Sequence, residues 1–337
     1  MQSPLPPSNR PRHHRKIGSI ITTVLLTGVS VFIWLNHQYI VDSISFWRYQ
    51  PTSAVEQVTS RAKLSDSGKF NFYAAQPSID DSNTFNAKCS RKESNTAILG
   101  CYTDDRIYIY DVTDTRLDGI KEVTAAHEML HAVYQRLSPS DKQSVDQLVE
   151  AEYQKLLSNP TFAERMAFYA RTEPGERDNE LHSIIGTEVG SISPELEAHY
   201  AKYFNDRGQI VSMYNTYNSV FVSLSDQSKQ LAAELEKISG QIKSASDQYN
   251  ADVKSLNADI ASFNQRANAG YFTSQSQFNT QRQTLVVRAN TISAERVAIN
   301  VMVDRYNTFR DQYNDTVTQS NNLYKSLDSS LSPAPKV

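Results

Sequence analysis

Residues 118–137, DGIKEVTAAHEMLHAVYQRL, carry the pattern on which the fold of this chain depends. Apolar or ring-bearing side chains recur in it at steps of three or four, the spacing of one buried helical stripe. They are Ile120, Val123, His127, Leu130, Tyr134 and Leu137. Asp118 precedes the stripe as a candidate N-cap, and Glu122 suits the first turn. The pattern predicts a helix from about Gly119 to Arg136.

The centre of this helix reads His127-Glu128-Met129-Leu130-His131. Histidines four residues apart on a helix project from one face and can share a zinc ion. Glu128 then lies beside the metal, where it can take a proton from a zinc-bound water that attacks a peptide carbonyl. If His127 stood alone on this face, the favoured interpretation would be a core histidine that is hydrogen-bonded to a carbonyl. With Glu128 and His131 in place, the pattern predicts a zinc site.

A catalytic zinc takes three protein ligands and leaves one position for water, so a third ligand must come from elsewhere. A metzincin would have Gly three residues and His six residues after its second histidine. This chain has Tyr134 and Leu137 at those positions, which excludes that class.

The other common solution is a glutamate on a downstream helix, and residues 177–188, RDNELHSIIGTE, offer candidates. Glu180 and Glu188 fall on one face, whereas His182 points away from Glu180 because residues two apart do not share a face. Glu180 is the favoured third ligand, with Glu188 and His182 as rivals. Glu188 also has a candidate role in holding a ligand histidine by its other ring nitrogen.

The run NELHSIIGT at 179–187 resembles the Asn-Glu-x-x-Ser-Asp-x-x-Gly-Thr segment that carries the third zinc ligand in thermolysin-like metallopeptidases, the gluzincins. The chain differs from that segment at Ile184, where the family has Asp, and its Gly-Thr pair comes one residue early. The resemblance implies a zincin fold with Glu128 as the base. The ligand set that it implies is His127, His131 and Glu180.

Zinc peptidases also stabilise the oxyanion that forms on the scissile carbonyl. The segment 195–204, ELEAHYAKYF, contains three candidate donors, which are His199, Tyr200 and Tyr203. Aromatic residues at helical spacing are also typical of packing, so both interpretations stay open.

Two runs of β-branched and aromatic residues, 96–102 and 106–112, precede the metal helix and predict a β-hairpin. In zincins such a strand lies beside the active-site helix and pairs with the substrate backbone, so this hairpin is the candidate substrate-binding edge. An ordinary structural hairpin is the alternative.

The other predicted elements are a strand over 69–74 and helices over 53–64, 138–157 and 161–171. Together, residues 37–207 are expected to form one α+β, zincin-like domain.

Residues 17–36 carry no charge. About 20 helical residues cross a hydrocarbon core of roughly 30 Å, which predicts a single transmembrane helix that acts as a signal anchor. Residues 1–16 are basic and contain no acid, so they are expected to be a cytoplasmic tail, with the remainder extracytoplasmic. A cleavable signal peptide is the alternative, but its apolar core is usually shorter and ends in small residues rather than in FIWL at 32–35.

The chain contains two cysteines, Cys89 and Cys101. They lack the repeated pairs of a structural zinc knuckle, and the predicted compartment is oxidising. A disulfide is therefore expected, and two free buried thiols are the alternative.

From residue 208 to 331 apolar residues recur at steps of four and three, or of seven, which is coiled-coil periodicity. After a turn signal at 268–270 the sevens are regular, at Phe278, Leu285, Ile292, Ile299, Tyr306 and Tyr313. The pattern predicts an antiparallel helical hairpin, with pairing between chains as the rival, and a disordered tail over 332–337. Such a hairpin can bind a protein partner or mediate self-association.

Two function classes follow from these features. The first is a membrane-anchored, extracytoplasmic zinc metallopeptidase that acts on peptides or proteins. The second is a non-catalytic surface binding or adhesion protein that uses the zincin domain and the coiled coil as interaction modules. A net charge of -3 and the absence of a basic face argue against nucleic acid as a partner.

Overall fold

A computed structural model describes residues 3, 13–89, 98–160, 162–163, 166–167, 171 and 175–330. These residues fall into two compact units. The first unit comprises residues up to Tyr217 and the C-terminal residues from Leu327, and the second comprises Asn218–Ser326. The predicted boundary at 207/208 therefore lies within the first unit.

Some predicted segments lie wholly or partly outside the described residues. They are the tail 1–16, residues 96–97 of the first predicted strand, the helix 161–171 and the tail 332–337.

The first two helices are α1 (His13–Leu35) and α2 (His37–Arg48), separated by Asn36. Among the described residues, no single helix has both the length and the apolar content that a membrane span requires. Thr22–Leu35 and His37–Arg48 meet that test together, although the pair is bent by 70°. The transmembrane helix over 17–36 thus stays a prediction.

Helices α3 (Ser53–Arg61) and α4 (Asp66–Ala74) follow. The predicted strand over 69–74 is wrong, because these residues lie in α4. The Ser65 side chain accepts a hydrogen bond from the backbone N–H of Gly68 and caps this helix. Phe70 and Phe72 alternate as in a strand, yet Phe72 faces the core while Phe70 packs on Phe46 of α2.

A three-stranded sheet lies beside these helices, with strand order β1-β3-β2. Strand β1 (Ser78–Asp80) pairs parallel to β3 (Arg106–Tyr110), and β2 (Gly100–Thr103) pairs antiparallel to β3. The predicted hairpin is therefore confirmed, and β2 is its edge strand. Helix α5 (Ser82–Lys88) connects β1 toward β2.

The metal helix α6 spans Ile120–Arg136. Its N-cap is Gly119 and not Asp118, whose carboxylate instead forms a 2.8 Å ion pair with Arg61 of α3. Helices α7 (Pro139–Leu156), α8 (Arg177–Glu188) and α9 (Pro194–Tyr200) complete this part of the fold.

The core of the first unit forms where α6 packs on α8. Met129 and Leu130 of α6 and Leu181 and Ile185 of α8 are fully buried. At Gly186 a Cβ atom would lie 2.5 Å from Cδ1 of Leu130, so only glycine permits this approach. The two motif-bearing helices are thereby held in direct contact.

A disulfide joins Cys89, which follows α5, to Cys101 in β2. The bond therefore tethers β2, the edge strand of the sheet, to the C-terminal end of α5.

Reduction of this disulfide should lower the free energy of unfolding by about 2–4 kcal/mol, because an open chain gains conformational freedom when it unfolds. Urea unfolding with and without a phosphine reductant, which does not compete for zinc, measures the change. The double variant Cys89→Ser/Cys101→Ser is the control and should not respond to the reductant. Equal unfolding midpoints for the wild type in both conditions would contradict the prediction.

The C-terminal residues of the first unit bind α5. Asn86 donates a hydrogen bond from Nδ2 to the carbonyl oxygen of Ser329 (2.6 Å), and Ser329 donates from Oγ to Oδ1 of Asn86 (2.7 Å). Ser329 is 1% exposed. The chain therefore returns to this unit after the long helices.

Two long helices, α10 (Arg207–Asn268) and α11 (Gln275–Leu327), account for the second unit, and α10 begins in the first. The rings of Phe221 and Tyr324 lie 5.2 Å apart, and those of Phe263 and Phe278 lie 5.1 Å apart. Because early residues of α10 meet late residues of α11, the helices pair within one chain and run antiparallel. Ile238 and Ile292 are buried between them.

Candidate metal centre

Helix α6 brings His127 and His131 to the side of α8 that carries Glu180. The Nε2 atoms of the two histidines are 3.0 Å apart. The Glu180 carboxylate places Oε1 3.5 Å from Nε2 of His131 and Oε2 3.7 Å from Nε2 of His127. These three residues form a possible metal-binding site.

The site fits a zinc ion in geometry and in donor type. Ligands about 2.0–2.1 Å from a tetrahedral zinc lie about 3.3 Å from one another, close to the separations above. Two imidazoles and one carboxylate are a donor set that catalytic zinc uses with water in the fourth position. Among the residues that the structure describes, no further His, Cys, Asp or Glu joins this group.

The outer ring nitrogen of His131 is held by α8. Nδ1 of His131 lies 2.9 Å from Oδ1 of Asn179, and the Asn179 amide donates from Nδ2 to Oε2 of Glu176 (2.9 Å). Because Glu176 fixes the orientation of the amide, Nδ1 of His131 carries the proton and Nε2 keeps its lone pair for a metal. Ser183 places Oγ 3.3 Å from the same Nδ1.

Reasoning from the sequence assigns no role to Asn179 and Ser183. Both belong to the Asn-Glu-x-x-Ser run on which the resemblance rests, and both lie close to Glu180 on the helix, since Asn179 precedes it and Ser183 follows it by about one helical turn. The charge of Glu188 helps to raise the pKa of His127. A role for Glu188 in holding a ligand histidine stays a prediction.

Substitution of Asn179 by Ala should weaken zinc binding by roughly 10–100-fold, because His131 loses the group that sets its tautomer and ring orientation. Competition with a chelating zinc indicator measures the affinity. Asn250→Ala, at an exposed position of α10, is the matched control and should bind zinc as the wild type does. An unchanged affinity of Asn179→Ala would show that this contact does not orient a ligand.

The electrostatics of the centre favour a cation. Burial disfavours a protonated His127, but the hydrogen bond to Glu180 and the charges of Glu128 and Glu188 outweigh this effect. The pKa of His127 is therefore raised above its ordinary value. The negative charges of the same three carboxylates would also stabilise a divalent cation at this site.

Glu128, the predicted base, is 6% exposed and lies under the edge strand β2. A Cβ atom at Gly100 would lie 2.6 Å from Oε1 of Glu128 and 2.7 Å from Cγ2 of Thr124. A side chain at position 100 would therefore displace Glu128, Thr124 or β2. Reasoning from the sequence gives Gly100 no role, and its signal is a glycine within the predicted strand 96–102.

His182 lies away from the ligand atoms, as its position relative to Glu180 predicts. It is fully buried, and its Nε2 is 2.9 Å from Nε2 of His199. Burial lowers the pKa of His182 well below its ordinary value and that of His199 to about 4. Both imidazoles are therefore neutral near pH 7 and share one hydrogen bond.

The predicted oxyanion donors lie around this second histidine pair. The Tyr200 hydroxyl donates to the carbonyl oxygen of His182 (2.7 Å), and the Tyr203 ring lies 5.5 Å from that of His199. The hydrogen bonds of Tyr200 and His199 with His182 pack α9 against α8. A role for His199, Tyr200 or Tyr203 in binding an oxyanion stays a prediction.

Comparisons of the chain with protein-family models, with curated proteins and with solved structures find no match. The metal centre is therefore inferred from the geometry of His127, His131 and Glu180.

Proposed function

We propose that this protein is a membrane-anchored, extracytoplasmic zinc metallopeptidase of the gluzincin type. The observation that carries the proposal is the convergence of two histidine Nε2 atoms and the Glu180 carboxylate, with Glu128 on the same helix as the histidines. This arrangement combines a metal site with a buried carboxylate that can act as a base.

Zinc bound at this site would supply a Lewis acid that lowers the pKa of a bound water toward 7. Glu128 is buried and its charge acts on the His127 imidazole, so its carboxylate would be near enough to the site to accept a proton from the attacking water and to pass it to the leaving amine. Asn179 keeps His131 in the tautomer that can bind the metal.

The edge strand β2 supplies the surface for a substrate. One side of β2 pairs with β3, and β2 is the last strand of the sheet among the residues that the structure describes. Its other side can add an extended peptide by backbone hydrogen bonds. Because Gly100 contacts Glu128, a peptide on this edge would run past the base.

The extracytoplasmic location is supported by the uncharged stretch 17–36 and the basic residues before it. The disulfide between Cys89 and Cys101 also suits an oxidising compartment.

The test is a peptidase assay on the full chain in detergent, combined with metal analysis. We expect one equivalent of zinc, cleavage of a peptide library, loss of cleavage on chelation and recovery on addition of zinc. Zinc at full occupancy with no cleavage by the wild type would overturn the proposal and favour the binding module.

Replacement of Gly100 by Ala should lower peptide hydrolysis by up to roughly 10²-fold with zinc still bound, because the new methyl group displaces Glu128 or the strand above it. Initial rates at low peptide concentration measure the effect. Gly240→Ala is the matched control, since a Cβ at Gly240 meets nothing within 4 Å. If both variants hydrolyse peptide at the wild-type rate, β2 does not act on Glu128.

A further inference from the structure

Helix α2 (His37–Arg48) has one docked face and one open face. On the docked face Phe46 packs on Phe70 of α4 with ring centroids 5.4 Å apart, and Asp42 is 4% exposed. On the open face, Val41 is 42% exposed, Ile44 47% and Trp47 87%. These three apolar residues follow one another at steps of three, so they form a stripe that nothing in the described chain covers.

The docked face fixes α2 to the metal helix. Arg136, in the last turn of α6, donates from Nη2 and Nε to both carboxylate oxygens of Asp42, at 2.8 and 2.9 Å. The same guanidinium donates from Nη1 to the Tyr102 hydroxyl of β2 at 3.0 Å. Because removing one partner leaves the other charge buried and unpaired, this contact resists separation. One guanidinium, that of Arg136, therefore links helix α2, the metal helix and the edge strand.

The composition of the open face suits a lipid surface. Asp42 is the only acidic residue of α2, and Arg136 neutralises it on the docked face. The open face thus carries a tryptophan and aliphatic side chains, with the cationic Arg48 exposed at its end. Tryptophan, aliphatic residues and a basic neighbour are typical of helices that lie at the membrane interface.

Chain connectivity places this face at a membrane rather than against a second copy. Only Asn36 separates α2 from α1, and the described side chains of α1 are mostly apolar and exposed on all sides. They include Val24, Leu25, Leu26, Val29, Val31, Phe32, Ile33, Trp34 and Leu35. The axis turns by 70° between Thr22–Leu35 and α2. For an α1 that crosses a bilayer along its normal, this turn brings α2 closer to the membrane plane than to the normal.

We propose that α2 lies in the headgroup region of the membrane with Val41, Ile44 and Trp47 immersed, and that it holds the metal-bearing unit in a fixed orientation at the surface. The inference rests on the proposed membrane anchor and is independent of the peptidase chemistry. The pair between Asp42 and Arg136 argues against α2 as the second half of a broken span, because insertion of α2 into hydrocarbon would separate the pair or draw the end of α6 in with it.

The two tryptophans of the chain, Trp34 and Trp47, allow a direct test. Trp34→Phe leaves Trp47 as the sole tryptophan, and Trp47→Phe leaves Trp34. Each full-length variant is reconstituted in phosphatidylcholine/phosphatidylglycerol vesicles, and its fluorescence is quenched by lipids brominated at different depths and by acrylamide. We expect Trp47 to show blue-shifted emission, stronger quenching by shallow than by deep bromines, and protection from acrylamide.

The two tryptophans separate failure of this inference from failure of the anchor. If bromolipids quench Trp34 while Trp47 stays open to acrylamide, the anchor holds and the interfacial helix is refuted. If Trp47 is protected from acrylamide without bromolipid quenching, protein covers it, as a second copy of the chain would, and the inference is again refuted. If neither tryptophan meets lipid and the protein does not float with vesicles, the anchor itself fails. Peptide hydrolysis in detergent is measured separately.

Discussion

Replacement of Glu128 by Gln should lower kcat/KM for peptide hydrolysis by roughly 10²–10⁴-fold, which is the range that a general base contributes. The amide has the shape of the carboxylate but cannot accept the proton of the attacking water. Glu128 is not among the three predicted ligands, so the variant should still bind zinc at the wild-type ratio. Initial rates and metal content of the same preparations measure both effects.

The control for Glu128→Gln is Glu195→Gln, which makes the same change of charge at an exposed position of α9. It should hydrolyse peptide at the wild-type rate. A Glu128→Gln variant that binds zinc and retains full turnover would remove Glu128 from the mechanism. Loss of both zinc and activity would instead place Glu128 in the metal site.

Replacement of Glu180 by Ala should weaken zinc binding by more than about 100-fold, which exceeds the loss expected for a residue that only supports a ligand. Only two ligand side chains, His127 and His131, then remain in the group. Zinc should also cease to raise the thermal midpoint of unfolding, because a metal stabilises the native state only in proportion to its binding. Indicator competition and thermal unfolding with and without zinc measure the two effects.

Glu188→Ala is the matched control for Glu180→Ala, since Glu188 lies two helical turns further along α8 and influences His127 through its charge. It should retain zinc binding within about tenfold, below the effect of a ligand. The opposite ranking of the two variants would make Glu188 the third ligand. Equal zinc binding by both variants and the wild type would refute a glutamate ligand on α8.

The elements that the sequence predicts well are those whose signal is local. The steps of three or four from Ile120 to Leu137 predict α6 correctly, because helical periodicity shows within a few residues. The helix is nevertheless buried on more than that stripe, since Met129, Ala132 and Val133 are also buried. The hairpin over β2 and β3 is likewise encoded by β-branched and aromatic residues around a short turn. The rotation of His127 and His131 to one face follows from their spacing alone, because helical periodicity sets the angle between residues four apart.

The features that sequence reasoning misses depend on partners far along the chain. Phe70 and Phe72 have the alternation of a strand, but they lie on a helix that is contacted from two sides. Phe70 packs on Phe46 of α2, and Phe72 is buried in the core. The pair between Asp42 and Arg136 spans 94 residues, and no local pattern links its members. The close approach that Gly100 allows cannot be read from the strand alone, because its partner Glu128 lies on α6.

The two hydrogen bonds between Asn86 and Ser329 attach the end of the long hairpin to the first unit. Because the chain re-enters the first unit at Leu327, the segment Asn218–Ser326 is an insertion within one domain and not an appendage at its end. A protein shortened at 217 would therefore lose a piece of the first unit along with the hairpin. A deletion within the hairpin, with the two helices shortened equally about the turn at 269–274, would keep both attachments to the first unit.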